Sequence, residues 1–303
     1  MSDEIEFDRT AAPAREVAEL SPLVRRLIAG NAGPMTFTGT CTYIVGRGRV
    51  AVIDPGPDDL GHITRLLAAL GSETVSDIVV THTHRDHSPA AAALKAATGA
   101  RLVGCGPHRP ARELALGELN PLDAAADRDY APDLEMQHGD TIAGRGWTLQ
   151  AVATPGHTAN HLAFTLTEEN ALFSGDHVMA WSTSIVAPPD GSMADYMASI
   201  ERLRGMEHAR YWPGHGGPVE EPQRFLRGLV QHRRQREAAI LNRLAEGDET
   251  IAAMVPPIYQ GLPVALHGAA SLSVLAQLED LVLRGVVACN DALPQLASRY
   301  RRL

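Results

Sequence analysis

Cysteine and long apolar runs are scarce in this chain of 303 residues. The three cysteines, Cys41, Cys105 and Cys289, lie far apart and form no CxxC pair, which argues against a disulfide framework or a cysteine zinc knuckle. No apolar run approaches the roughly 20 residues of a membrane span, and the start Ser2-Asp3-Glu4 is acidic, unlike a signal peptide. We therefore expect a cytoplasmic protein with no membrane partner.

Basic and aromatic residues are also sparse. Lys95 is the single lysine, aromatic residues make up 5% of the chain, and the net formal charge is −9. This charge argues against a protein whose whole surface binds phosphates, although a local basic face stays open. The hydrophobic content of 45% is ordinary for a globular protein, and the length predicts one large domain with a small appendage.

Strand and helix patterns alternate through the first two thirds of the chain. Apolar residues alternating around Gly46-Arg47-Gly48 predict a β-hairpin of residues 42–45 and 50–53. Further strands are predicted at residues 78–80, 101–103, 147–152, 161–165, 171–173 and 209–212, with helices up to residue 70, at 89–98 and from the Ser192 cap to Gly205. This alternation indicates α/β architecture.

Two stretches depart from the alternation. From Gly104 to about Asp133, glycine, proline and aspartate predict a long loop or lid with one short helix near residues 111–116. Beyond Pro218 the predicted elements are helices at 222–244, 250–255 and 271–284 and a short apolar piece at 286–289, an order typical of a winged-helix module. We therefore place a domain boundary near Glu220, between residues 1–219 and 220–303.

Three histidines and an aspartate are concentrated between a predicted buried strand and a predicted helix, in Val80-Thr-His-Thr-His-Arg-Asp-His-Ser88. In an extended segment His82 and His84 project to the same face, so two nitrogens can reach one ion. Where the chain turns into the helix, Asp86 and His87 can reach a second ion beside the first. Nitrogen and oxygen donors without a thiolate favour two zinc ions, with manganese or iron as alternatives.

Further donors occur where predicted strands end in sharp turns. The turns contain Gly156-His157, Gly175-Asp176-His177 and Gly214-His215. Loops at one edge of a sheet converge, so these side chains are expected to meet the first segment. Of the 13 histidines, the five that we select as metal ligands are His82, His84, His87, His157 and His215.

With these residues the chain resembles the metallo-β-lactamase superfamily, whose T-H-x-H-x-D-H signature is followed by separate His, Asp and His motifs in this order. The resemblance covers about Gly30 to Gly217 and implies an αββα sandwich around two metal ions. The implied ligands are His82, His84 and His157 for the first ion and Asp86, His87 and His215 for the second, with Asp176 bridging them. Asp54 would support the site from behind. True zinc β-lactamases mostly carry cysteine at the place of Asp176, which argues against antibiotic hydrolysis.

A closer resemblance is to the subgroup that contains the mitochondrial β-lactamase-like endoribonuclease. It rests on Thr40-Cys41-Thr42-Tyr43, the lid, Asp195-Tyr196-Met197 and His232-Arg233. That subgroup has a winged-helix-like C-terminal domain, and the likeness implies cleavage of single-stranded RNA. The subgroup usually has asparagine where this chain has Cys41, so this position offers no amide.

The expected chemistry is hydrolysis by a hydroxide that bridges two zinc ions, formed when the metals lower the pKa of water toward about 7. Asp86 is the expected catalytic residue, because it would both hold an ion and orient the hydroxide. Thr183 and Ser184 follow Asp176 on a loop that would contact substrate.

Several substrates and one non-enzymatic function stay open. The leading substrate is single-stranded RNA. The alternative is a thioester of glyoxalase II type, or another small ester or lactone. A nucleic-acid-binding module with a structural metal is disfavoured, because structural zinc sites are closed by four protein ligands. A homodimer is one open alternative for the oligomeric state.

Overall fold

Two packed β-sheets form the body of the molecule in this computed structural model, which describes residues 5–11, 16–114 and 118–303. The seven strands of the first sheet lie side by side in chain order: β1 (Ala18–Glu19), β2 (Val24–Ile28), β3 (Cys41–Val45), β4 (Arg49–Ile53), β5 (Thr74–Val80), β6 (Arg101–Gly104) and β7 (Leu134–Glu135). Strands β1 to β4 pair antiparallel, whereas β4 to β7 run parallel.

The second sheet contains five strands, β8 (Thr141–Gly144), β9 (Trp147–Ala153), β10 (Leu162–Leu166), β11 (Ala171–Gly175) and β12 (Arg210–Pro213). Its strands are antiparallel except for the parallel pair of β11 and β12. Successive side chains point to opposite faces of a strand. In β9, Ala151 accordingly packs into the core between the sheets and Val152 into a second core on the outer face.

Helices cover both outer faces, which gives the αββα sandwich that the sequence predicts. The helices are α1 (Leu60–Leu70), α2 (Ala90–Thr98), α3 (Met193–Arg204), α4 (Pro222–Ala245), α5 (Ile251–Ile258) and α6 (His267–Leu283). Leu66 of α1 and Leu94 of α2 pack into the core of the first sheet. Ile200 of α3 and Leu229 of α4 pack into the core on the second sheet. The α/β prediction is therefore confirmed.

The helix α4 belongs to two apolar cores. Leu226, Leu229 and Val230 in its first half pack with α3, whereas Ile240 and Leu244 in its second half pack with α5 and α6. The C-terminal region ends in the antiparallel pair β13 (Val287–Cys289) and β14 (Tyr300–Arg302), which completes a helical region with a two-stranded wing. The boundary near Glu220 stays a prediction.

Two local predictions need correction. The last helix begins at His267 rather than Ser271, because the Ser271 hydroxyl donates to the His267 carbonyl (2.8 Å) inside the helix instead of capping it. Of the short helix predicted in the lid, residues 111–114 are not helical and 115–116 lie outside the described residues; a short 3-10 helix occurs instead at Asp123–Ala125.

The longest helix among the described residues is α4, with 24 residues. Neither α4 nor another helix in these ranges combines the length and apolar composition that crossing a membrane requires.

Candidate metal centre

The turn between β5 and α2 carries the densest group of predicted ligands. Hydrogen bonds from the backbone N–H groups of His87 and Ser88 to the His84 carbonyl (2.9 and 3.2 Å) form this turn. The buried strand before it and the helix after it are the surroundings that the sequence predicts. The segment therefore leaves the sheet at the carboxyl end of β5, where loops from other strands meet it.

Three histidines form the first ligand group. His84 Nδ1 lies 3.1 Å from His82 Nε2 and 3.0 Å from His157 Nε2. His157 enters from the turn after β9, and its Nδ1 lies 2.6 Å from the Ile185 carbonyl oxygen. All three rings are buried, and their nitrogens converge within one ion's reach.

The second group combines one carboxylate with two histidines. His215 Nε2 lies 3.2 Å from both His87 Nε2 and Asp86 Oδ2. His215 follows β12, and its Nδ1 lies 3.2 Å from the Gly39 carbonyl. The two rings are buried, whereas the Asp86 side chain keeps 26% of its surface exposed. Asp86 is thus the member of this group that solvent reaches.

Asp176, at the end of β11, lies between the two groups. Its Oδ2 is 3.7 Å from His157 Nε2 in the first group and 3.3 Å from His215 Nε2 in the second. Gly214 makes this close approach feasible, because a Cβ there would lie 2.4 Å from Asp176 Oδ1. The structure therefore brings all seven predicted ligands to one place.

Asp54 lies behind the second group. Its carboxylate accepts hydrogen bonds from the Thr81 N–H and hydroxyl (both 2.8 Å), and its Oδ2 is 2.9 Å from His87 Nδ1. This contact is on the opposite side of the His87 ring from Asp86 and His215. Asp54 could also group with His82 and His87 as an ion ligand. The hydroxyl and ring contacts already made by Oδ2 favour the supporting role instead.

Several supporting residues do not stand out in the sequence. The His161 ring joins the Thr154 hydroxyl (Nδ1, 2.8 Å) to the Asp176 backbone N–H (Nε2, 3.2 Å). The Thr40 hydroxyl lies 3.3 Å from Asp86 Oδ2. From the sequence, His161 is equally compatible with supporting a metal ligand and with ordinary packing. Thr40 is noted there only as part of the Thr40-Cys41-Thr42-Tyr43 motif. Their roles depend on partners that are distant in the chain.

Thr183 and Ser184, the predicted substrate contacts, differ in accessibility. Thr183 is half-buried, whereas Ser184 is buried and its carbonyl accepts a hydrogen bond from Arg233 (2.5 Å). Substrate contact by either residue stays a prediction, and for Ser184 it would require an approach that its burial opposes.

The two groups differ in electrostatics. Burial lowers the pKa of His84 to about 3 and holds the pKa of His82 well below its ordinary value, so these rings are neutral with free lone pairs. Burial also opposes charge on His215, but Asp176 and Asp86 outweigh it and raise its pKa to about 10. The carboxylates responsible would equally attract a divalent cation.

The donor set fits a divalent metal. His87 and His215 each turn Nδ1 toward an oxygen acceptor, at 2.9 and 3.2 Å, so their Nε2 lone pairs face each other at 3.2 Å and favour a cation between them. His84 Nε2 and Asp176 Oδ1 are buried without a hydrogen-bond partner among the described residues. Buried polar atoms are normally satisfied, so Asp176 Oδ1, which lies between the two groups, points to a missing partner; His84 Nε2 lies on the other side of its ring from the first group. These residue groups indicate a divalent metal site.

Comparison with known proteins identifies two families, which match successive parts of the chain. Residues 35–215 match the family described as the metallo-beta-lactamase superfamily. Residues 250–292 match the beta-lactamase associated winged helix domain. The two matches leave the whole of α4 and its flanks unassigned.

Relatives and solved structures cover most of the chain. It is similar to the "Beta-lactamase-like protein 2 homolog" of Caenorhabditis elegans, with 32% identity over 89% of this chain and 88% of the relative. It is also similar to the "Atrochrysone carboxyl ACP thioesterase" of Aspergillus fumigatus, with 30% identity over 82% of this chain and 77% of the relative. A metallo-beta-lactamase family protein from Thermus thermophilus shares the fold, with TM-score 0.75, 24% identity, and coverage of 94% of this chain and 100% of that one.

Proposed function

The chain belongs to the metallo-beta-lactamase superfamily, a family of hydrolases, and on that premise we propose that it hydrolyses a thioester or a related ester with two zinc ions. The observation that carries the two-metal proposal is the position of Asp176. Its carboxylate lies within 3.7 Å of a histidine in each ligand group, which makes the two groups one site. Oxygen and nitrogen donors without thiolate favour zinc.

The residues divide into holding and orienting roles. His82, His84 and His157 would hold one ion, Asp86, His87 and His215 the other, and Asp176 both. When bound, the ions would polarise a substrate carbonyl and lower the pKa of water. The Asp86 carboxylate would also accept a hydrogen bond from the attacking water, and the Thr40 hydroxyl, 3.3 Å from its Oδ2, would steady it.

The relatives and the net charge support the choice of a thioester. A thioesterase is similar to this chain over 82% of its length, and the net charge of −9 suits a small substrate better than a polyanion. Arg224, which a nuclease would present to phosphates, is paired with Glu221 (3.0 Å). A thioester is therefore the first candidate class, and a glutathione or coenzyme A conjugate is the thioester that we propose to test first.

Single-stranded RNA is the second candidate. The observation in its favour is a groove of about 490 Å³ lined by Arg204, Arg227 and Arg234. Its arginines come from α3 and α4, and Arg204 among them pairs with Glu201 (2.7 Å). The homodimer stays a prediction that none of these contacts addresses.

The test is a side-by-side assay of the zinc-loaded protein on S-lactoylglutathione, single-stranded RNA and a β-lactam, with Asp86→Ala as the blank. We expect thioester turnover that a chelator abolishes and zinc restores, together with two zinc equivalents by elemental analysis. RNA cleavage without thioester turnover, falling steeply between about 50 and about 200 mM salt, would replace the thioester proposal with the nuclease. Activity that persists in the blank is contamination.

A further inference from the structure

Arg233 extends from α4 into the interior beside the metal centre. Its side chain is buried, its guanidinium lies over the Tyr196 ring at 4.8 Å, and one terminal N–H donates to the Ser184 carbonyl (2.5 Å). Tyr196 in turn donates its hydroxyl to the His177 carbonyl (3.2 Å), in the residue that follows Asp176. Arg233 thus contacts the Ser184 segment directly and reaches the residue after Asp176 through Tyr196.

This arrangement is costly for a charged group. Within the described ranges no carboxylate forms an ion pair with Arg233, and its Nε is buried without a hydrogen-bond partner. A buried charge without an anionic partner loses hydration that neither a carbonyl nor an aromatic face fully restores. Stability alone therefore gives a poor account of Arg233.

The Ser184–Ile185 backbone connects Arg233 to a ligand. Arg233 holds the Ser184 carbonyl, and the next carbonyl, of Ile185, lies 2.6 Å from His157 Nδ1. A proton on Nδ1 fixes the tautomer of His157 and leaves the Nε2 lone pair facing His84 and the first group. The orientation of that ring depends on where the Ile185 carbonyl is held.

We propose that Arg233 is a positioning residue that sets the metal affinity of the first ligand group, acting through the Ser184–Ile185 backbone on His157. This inference rests on the proposed function, because it takes His157 to be a metal ligand. It assigns the C-terminal region a part in metal binding besides any contact with substrate.

The test compares Arg233→Met and Arg233→Lys with Arg236→Met. Arg236 is a matched control on the same helix, since its guanidinium lies over Tyr259 at 4.7 Å and donates to the Ile258 carbonyl (2.9 Å), away from the metal centre. Metal affinity is measured by chelator competition with Co²⁺, and coordination by the visible absorption of the cobalt protein. We expect Arg233→Met to weaken one of two equivalents about 10–100-fold, Arg233→Lys to weaken it less, and Arg236→Met to leave it unchanged.

A second comparison separates positioning from general damage. In a His157→Ala background, Arg233→Met should cause no further loss of affinity, because its effect passes through that ring. A similar loss in Arg233→Met and Arg236→Met, or a further loss in the His157→Ala background, would overturn the inference. If circular dichroism shows Arg233→Met to be unfolded, Arg233→Lys decides by the same criteria. Absence of metal from the unaltered protein would instead contradict the proposed function itself.

Discussion

The turns at the strand ends and the C-terminal helices both lie near the candidate metal centre, but they make different kinds of contact there. In the turns, side chains face one another directly, as His84 Nδ1 and His157 Nε2 do at 3.0 Å. From the C-terminal region, Arg233 instead grips a backbone carbonyl, and Glu279 pairs with Arg112 of the lid (2.8 Å). The first region carries the predicted ligands, and the second contacts the backbone and the loop beside them.

The largest effect, on kcat, is expected when Asp86 in the turn after β5 is replaced. Asp86→Ala removes the partly exposed carboxylate that lies 3.2 Å from His215 Nε2, so we expect kcat to fall about 10³-fold or more, without unfolding. His267→Ala is the control in the C-terminal region, where that ring hydrogen-bonds with the Leu262 carbonyl (3.2 Å). Equal losses in the two variants, measured on the same substrate, would refute the assignment of the site.

A smaller effect, on zinc affinity, is expected when Asp54 is replaced. Asp54→Asn weakens the carboxylate contact to His87 Nδ1, and we expect zinc affinity to fall about 10–100-fold in chelator competition. Asp77→Asn is the matched control, because Asp77 is an equally buried carboxylate on the same sheet whose partner is Arg101 (2.5 Å) rather than a predicted ligand. An unchanged zinc affinity in Asp54→Asn would remove Asp54 from the site.

The smallest expected effect is on thermal stability, at the contact between Arg112 of the 104–133 loop and Glu279 of α6. Burial raises the pKa of Glu279 to about 7, against the opposing influence of Arg112, while the neighbouring Glu118 carboxylate adds to the rise. The folded protein therefore binds a proton that the unfolded chain has released, and stability falls as pH rises from about 4.5 to about 7.

Glu279→Gln should abolish this part of the pH dependence, which we expect to amount to roughly 2–4 °C in Tm over that interval. The measurement is Tm at a series of pH values for both proteins. The control is Glu249→Gln, whose half-exposed carboxylate pairs with Arg299 (2.8 Å) and which should keep the original slope. A slope in Glu279→Gln identical to that of the unaltered chain would contradict the prediction.

The position of the candidate site was largely predictable, because its predicted ligands lie in local motifs. The hairpin around Gly46-Arg47-Gly48 is observed as β3 and β4, and the segment with His82 and His84 leaves β5 as expected. Each ligand turn ends a strand with strong apolar character, so sequence alone could place the turns at one edge of a sheet. The motifs could not specify the distances between ligands from different turns, such as those from Asp176 to the histidines of the two ligand groups.

The elements that the sequence did not reveal depend on remote partners. Strand β2 carries two arginines in its centre, and Arg25 is buried there because it pairs with Glu73 (2.6 Å), which lies 48 residues away. Strand β14 has only three residues and is held by pairing with β13. The contact of Arg233 with Ser184 likewise spans 49 residues. Such long-range contacts produce no hydrophobic periodicity or motif in the local sequence, so they cannot be predicted from it.

The sharing of α4 between two cores has a consequence for synthesis on the ribosome. Ile200 and Leu203 of α3 are translated before Leu226 and Leu229, the residues that cover them in the folded protein. At about 5–20 residues per second, the 24 residues of α4 take about one to five seconds to add. During that interval the nascent sandwich presents an uncovered apolar face, which a chaperone can bind and which a neighbouring chain on the same messenger can capture.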